Sequence, residues 1–281
     1  MININALIAN ANAMAPLPAS TVRLAEVVCQ PKSHIDDVID LISLDQSLTV
    51  KLLSAANSAS SGTRVPIGTV QEAVMRLGSA QIMALAVACS ARPLMEAPVE
   101  EYGYSEGALW RHSVAAAVAA EIVPLHVRTE VPRETFTAAL LHDVGKLVMA
   151  RFLSAEIWQV LRQAQENDHL SPLEAEAAIL QFSHAQLGGI IAERWKLPER
   201  VVQGIVHHHA PEKGTDGMAY LVYLANLLAH DLEAKLDDTA YELVISPAVI
   251  ERLELTPAII EQLRASVGLR YEQVSRRYMA T

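Results

Sequence analysis

The chain has 281 residues, of which 51 % are hydrophobic but only 5 % aromatic, and its formal net charge is -10 at pH 7. That length buries a sizeable core, and the acidic balance opposes the positive field that a phosphate backbone requires, which excludes bulk nucleic acid as a partner. The two cysteines, Cys29 and Cys89, form no CxxC pattern and read as small core residues of a reducing compartment, so a disulfide scaffold is excluded too.

Residues 1–16 are Asn- and Ala-rich without an apolar period, and the expectation for them is a flexible tail or short arm. They lack the basic start and apolar run of a secretory signal. The most apolar tracts, Ile82 to Ala91 and Val114 to Val123, are too short for a membrane span, which places the protein in the cytoplasm. From Leu17 onward, apolar residues recur three or four apart in the segments 21–30, 35–44, 46–59 and 69–91. Val38, Leu41 and Ile42 form one such set, and Leu48, Leu52, Leu53 and Ala56 another. Thr69 with Glu72 supplies a capping box after a Pro- and Gly-bearing loop.

The acidic stretch EAPVEEYGYSEG, residues 96–107, reads as a linker between an N-terminal lobe over 17–100 and a second lobe over 101–281. In the second lobe the spacing predicts helices over 106–123, 132–151, 154–168, 172–181, 184–195, 198–209 and 217–235, then two more within 246–278. Ser171-Pro172-Leu173-Glu174 and Ser183 to Gln186 are helix-start signals. Nothing resembles a run of strands, and the predicted class is an all-α, two-lobed protein.

Six residues in the second lobe carry metal-binding groups in a particular order: His112, His142, Asp143, His184, His208 and His209. Neutral imidazoles and carboxylates suit Zn, Fe, Mn or Ni, and the set is large enough for one or two such divalent ions. His142 and Asp143 fall in TAALLHDVGKLVMARF, where Leu140, Val144, Leu147 and Val148 form the stripe of a continuous helix. Ala138 and Gly145 leave room beside His142, and Lys146 lies where it would reach a phosphate oxygen. His112 begins an alanine-rich helix. His184 faces inward with Leu187 and Ile191, and His208-His209 end a helix near the negative pole of its dipole, which is expected to raise their basicity. A His-Asp pair or a histidine run arises readily by chance; only the ordered series gives each member weight.

The order H…HD…H…HH with HDVGK resembles the HD superfamily, in particular its HD-GYP cyclic di-GMP phosphodiesterases and the related HDOD branch. The stretches LDQSLTVKLLSAANSAS and VQEAVMRLGSAQIMALAVA are similar to the HDOD signature, and Leu17-Pro18 fits its usual beginning, so that the resemblance runs from about Leu17 to His230. It implies a helical HDOD lobe joined to an HD-like bundle, commonly a regulatory module that works through contacts with signalling proteins. If the site is active, the resemblance implies a metal-dependent phosphohydrolase acting on a nucleotide or cyclic dinucleotide, with Asp143 and Lys146 as catalytic groups; a site that binds such a ligand without cleaving it is a third reading. Two departures stand out. Asn226 occupies the place of the late aspartate in YLANLLAHDL, with Asp231 five positions on, and no Gly-Tyr-Pro follows the tandem histidines.

The chain has no GxxxxGK[ST] loop and no GxGxxG after a strand, and Ser113 lies in no nucleophile elbow, so ATP hydrolysis, dinucleotide redox chemistry and serine catalysis have no support. Met75, Met83 and Met95 read as core residues rather than a cofactor pocket.

Overall fold

The computed structural model describes residues 4–12, 14, 17–28, 34–57, 67–129, 132 and 134–278, and among these there is no strand. The N-terminal helices are α1 (Ile4–Asn12), α2 (Ala19–Val28), α3 (Ile35–Ser43), α4 (Gln46–Ala56) and α5 (Val70–Met95). Next come α6 (Ala108–Ile122), α7 (Thr135–Leu141), α8 (Gly145–Phe152), α9 (Ala155–Asn167) and α10 (Pro172–Ala175), which runs into a π-helical turn at Glu176–Leu180. The last are α11 (His184–Arg194), α12 (Glu199–Val206), α13 (Met218–Leu236), α14 (Pro247–Arg252) and α15 (Pro257–Tyr278). The all-α expectation holds.

Two apolar clusters organise these helices. Leu24, Val27, Val38, Ile42, Leu48, Leu52, Val74 and Ile82 form the smaller one, from α2 to α5. The larger one surrounds α6, whose residues from Ala115 to Ala120 are all buried against α7, α13 and α15. Alanine keeps the helices close at little cost in side-chain entropy. Helix α5 serves both clusters, giving Val74 and Ile82 to one and Met83, Val87, Ala91 and Met95 to the other. It bends at Gly78, whose φ of 76° and ψ of 158° lie outside the helical region.

Several expectations need correction. Of the expected flexible tail or short arm over 1–16, residues 4–12 form α1, with Leu7 and Ala11 buried against α8 and α11. The helix predicted over 132–151 is broken between Leu141 and Gly145, so His142 and Asp143 sit in a turn rather than on a helix face. The start of α8 lies against α11 so closely that a Cβ at Gly145 would fall 1.9 Å from the carbonyl oxygen of His184. Helix α12 ends at Val206, leaving all three following histidines in a turn. Met83 and Met95 are core residues, but Met75 is 68 % exposed. Cys89 is half-buried, and Cys29 lies outside the described residues. Among the described residues no single helix is long and apolar enough to cross a membrane.

Candidate metal centre

The six predicted ligands come from four different elements. His112 lies in the second turn of α6, His142 and Asp143 in the α7–α8 turn, and His208 and His209 in the turn after α12. His184 is the first residue of α11, fixed there by Ser183, whose hydroxyl accepts from the Gln186 amide while the Gln186 side chain accepts from the Ser183 amide. His112, His142, Asp143, His184 and His208 are at most 2 % exposed, and His209 is half-buried.

The outer nitrogen of four rings is held by an oxygen. His112 Nδ1 donates to the Glu233 carboxylate at 3.0 Å, and His184 Nδ1 to Glu176 at 2.8 Å. His142 Nδ1 donates to the Ala139 carbonyl at 2.7 Å, and His208 Nδ1 to the Ile205 carbonyl at 2.6 Å. A neutral imidazole that gives its proton at Nδ1 presents a lone pair at Nε2, so these rings turn lone pairs inward. The Nε2 atoms of His112 and His142 lie 3.3 Å apart, those of His184 and His209 lie 3.0 Å apart, and the Nε2 of His208 is buried without a hydrogen-bond partner.

Asp143 stands between the two groups. Its Oδ2 is 3.6 Å from His112 Nε2 and 3.4 Å from His142 Nε2, and its Oδ1 is 3.3 Å from His184 Nε2 and 3.9 Å from His208 Nε2. The ligand atoms of His112, His142 and Asp143 lie within 4.8 Å of one another, as do those of His184, His208 and His209. Converging buried acceptors each cost about 1–3 kcal/mol when unsatisfied, and a divalent cation satisfies several at once. The donor set therefore fits one or two transition metal ions, without choosing among Fe, Mn, Ni and Zn.

Charge in the centre is set by burial against close partners. Burial disfavours the Asp143 carboxylate, but Lys146, 2.6 Å from Oδ2, and then His142 outweigh it and hold this carboxyl well below the usual range. Burial, followed by the neighbouring histidines, pushes His208 and His209 well below the usual imidazole range. This overturns the basicity expected from the helix dipole. Burial also lowers His112, whereas in His184 the carboxylates of Glu176 and Asp143 outweigh burial and raise it. Glu233 is opposed by burial but held down to about 2 by hydrogen bonds from His112 and His230.

Lys146 is turned inward onto Asp143, and its ammonium lies 5.4 Å from the Tyr102 ring centre and 5.1 Å from that of Tyr104. Asn226 does enter the centre, with Oδ1 3.1 Å from His112 Nε2. Asp231 points elsewhere, receiving hydrogen bonds from Arg264 at 2.7 and 2.9 Å. Glu176, Glu233, His230, Tyr102 and Tyr104 were missed by sequence reasoning. Glu233 and His230 had a signal, seven and four residues beyond Asn226 on one face of α13. Glu176 had none, because it opens a π-helical turn that breaks the regular helical spacing toward His184.

Comparison with known proteins adds the family. The HDOD domain model matches residues 14–211. An uncharacterised protein of Treponema pallidum (strain Nichols) is 26 % identical over 204 residues, covering 70 % of this chain but only 38 % of its own length. An HDOD domain protein of unknown function from Geobacter sulfurreducens superposes with a TM-score of 0.69 at 22 % identity, covering 99 % of this chain and 100 % of its own. A candidate signal transduction protein from Marinobacter aquaeolei VT8 gives 0.74 at 23 % identity, covering 94 % of this chain and 59 % of its own. A candidate metal-dependent phosphohydrolase from Shewanella amazonensis SB2B gives 0.59 at 18 %, covering 95 % and 96 %. At these identities the structures share the fold, whereas the family match spans more than half of the sequence. On that match, the chain belongs to the HDOD domain family.

Proposed function

We propose that the protein is a regulatory module of bacterial cytoplasmic signalling, with a lobe over 17–100 that meets partner proteins and an HD-like bundle over 101–281 that holds one or two divalent transition metal ions. The observation that carries this reading is Asp143, whose two carboxylate oxygens each face a separate pair of Nε2 atoms. Fixed outer nitrogens on four rings support it, since such partners orient ligands and raise their basicity. The name of the Marinobacter structure agrees with a signalling role.

The test is elemental analysis of untagged protein purified without chelator, with His142→Ala as the control. The expected result is about one or two equivalents of a transition metal, lost in the variant. Folded wild-type protein free of metal would overturn the metal-holding reading.

A second reading, phosphohydrolysis of a nucleotide or cyclic dinucleotide, is favoured by one observation: a lysine in direct contact with the central carboxylate. The name of the Shewanella structure agrees with it. Bound ions would supply Lewis acidity and a more acidic water. Asp143 would hold them, and Lys146 would leave Asp143 to neutralise a phosphoryl oxygen. Turnover of cyclic dinucleotides or nucleotides by the metal-loaded protein, abolished in Lys146→Met, supports this reading. Saturable binding without turnover supports a ligand-sensing site instead.

A further inference from the structure

We infer that the turn Val99–Tyr104 is a strap that closes the metal centre and sets how fast ions enter and leave it. This inference rests on the metal-holding reading above and concerns the regulation of that same site.

The turn is short and firmly made. Val99 N–H donates to the Tyr104 carbonyl at 2.8 Å, and Tyr104 N–H returns a bond to the Val99 carbonyl at 3.1 Å. Val99 is 2 % exposed and anchors the turn in the core. At its base the Gly107 amide donates to the backbone carbonyl of Glu96, the residue that caps α5, at 2.7 Å. Gly103 closes the turn at φ 77°, a region that L side chains occupy at a cost.

Tyr102 and Tyr104, on either side of that exposed glycine, reach three members of the centre. Tyr102 OH donates to Glu176 Oε1 at 2.7 Å, and Glu176 in turn holds His184. Tyr104 OH accepts from Lys146 Nζ at 3.4 Å, and Lys146 holds Asp143. The Tyr104 ring lies 6.2 Å from the His112 ring, and the ammonium of Lys146 is enclosed between the two tyrosines. One six-residue turn therefore covers groups from both ligand sets. Both hydroxyls are engaged by the groups that support the ligands, Glu176 and Lys146, so their placement suits closure of the centre.

Gly103 gives a clean handle. A Cβ built there meets nothing within 4 Å, so Gly103→Ala strains only the backbone of the turn, while Gly103→Asn, better tolerated at positive φ, strains it less. The experiment uses full-length protein loaded with Zn2+, following release to a chromophoric chelator and uptake from a metal buffer. A strap predicts that Gly103→Ala speeds release and uptake together by about fivefold or more, leaves Kd within about twofold, and ranks above Gly103→Asn, which stays near wild type. Rates unchanged in Gly103→Ala would overturn the strap, and so would faster release without faster uptake, which marks a damaged site rather than an opened one. Wild-type protein that takes up no Zn2+ overturns the metal-holding reading and this inference with it. Zn2+ uptake with unaltered exchange removes the strap alone.

Discussion

Asn226 and Lys146 decide how strongly an ion would be held. The Asn226 amide oxygen stands 3.1 Å from His112 Nε2, so a carboxylate there would add a full charge to a place already shaped for it. Asn226→Asp is expected to raise metal affinity by about tenfold, read by chelator competition. Unchanged affinity would place residue 226 outside the coordination shell. Lys146 competes for the same carboxylate oxygen that faces His112 and His142. Lys146→Met leaves Asp143 buried without its cation, so the metal-free variant is expected to lose about 3 kcal/mol or more. Added metal should then raise its Tm by more than it raises that of wild type, a difference read by calorimetry. The sequence pattern named the six inner residues because their order is local to a few motifs. It passed over Glu176 because a carboxylate that supports a ring from behind obeys no fixed spacing, whereas Glu233 was traceable only through its place on the Asn226 face of α13. The dipole argument for His208 and His209 failed on magnitude. A helix terminus contributes about 0.3–1 kcal/mol, whereas burying a charge costs several.

At the scale of elements, the break between α7 and α8 makes the centre. It carries His142 and Asp143 inward, and it lets α8 start almost in contact with the first turn of α11. Gly145→Ala is expected to cost about 3 kcal/mol, at the upper end of overpacking effects, since the new Cβ meets a backbone oxygen that cannot rotate away. Urea unfolding measures the loss, and the variant should also bind less metal. Ser183→Ala, which removes the cap that seats His184, is expected to cost about 1 kcal/mol by the same assay. The break was illegible because Leu140, Val144 and Val148 are buried at a helical period straight through it, so the apolar pattern reads as one helix. Helix α1 was illegible for the opposite reason. Its Asn-rich sequence has little pattern, and Leu7 and Ala11 find their partners on α8 and α11, far along the chain. Capped helices such as α5 and α11 were legible because their start signals are contained within four residues.

Across the whole molecule, the C-terminal helix is tied to the bundle by ion pairs. Arg264 bonds Asp231 of α13, and Arg270 bonds Glu121 of α6 at 2.9 Å. Burial opposes the Asp231 carboxylate, but Arg264 and Lys235 outweigh it and hold this carboxyl below its usual value. A carboxyl lowered in the folded state contributes stability above its unfolded pKa of about 4 and loses it as pH falls toward the folded value. Wild-type protein is therefore expected to exceed Asp231→Asn by about 2 kcal/mol at pH 7, with the gap narrowing below about pH 4 in urea titrations. A gap independent of pH would mean that the pair is held by packing alone.

The bend in α5 has a mechanical consequence. Residues 81–95 beyond Gly78 form a helical arm about 22 Å long. Its root sits in the smaller apolar cluster and its tip, Met95, in the larger. A rotation of about 5° at the root would swing the tip by about 2 Å, comparable to the helix shifts that carry signals across packed interfaces. A tilt of the N-terminal helices would thus be amplified at residues four to nine positions past the tip, where Val99 and Tyr104 pair. In such a motion α5 would act as a crank, with a glycine for its elbow.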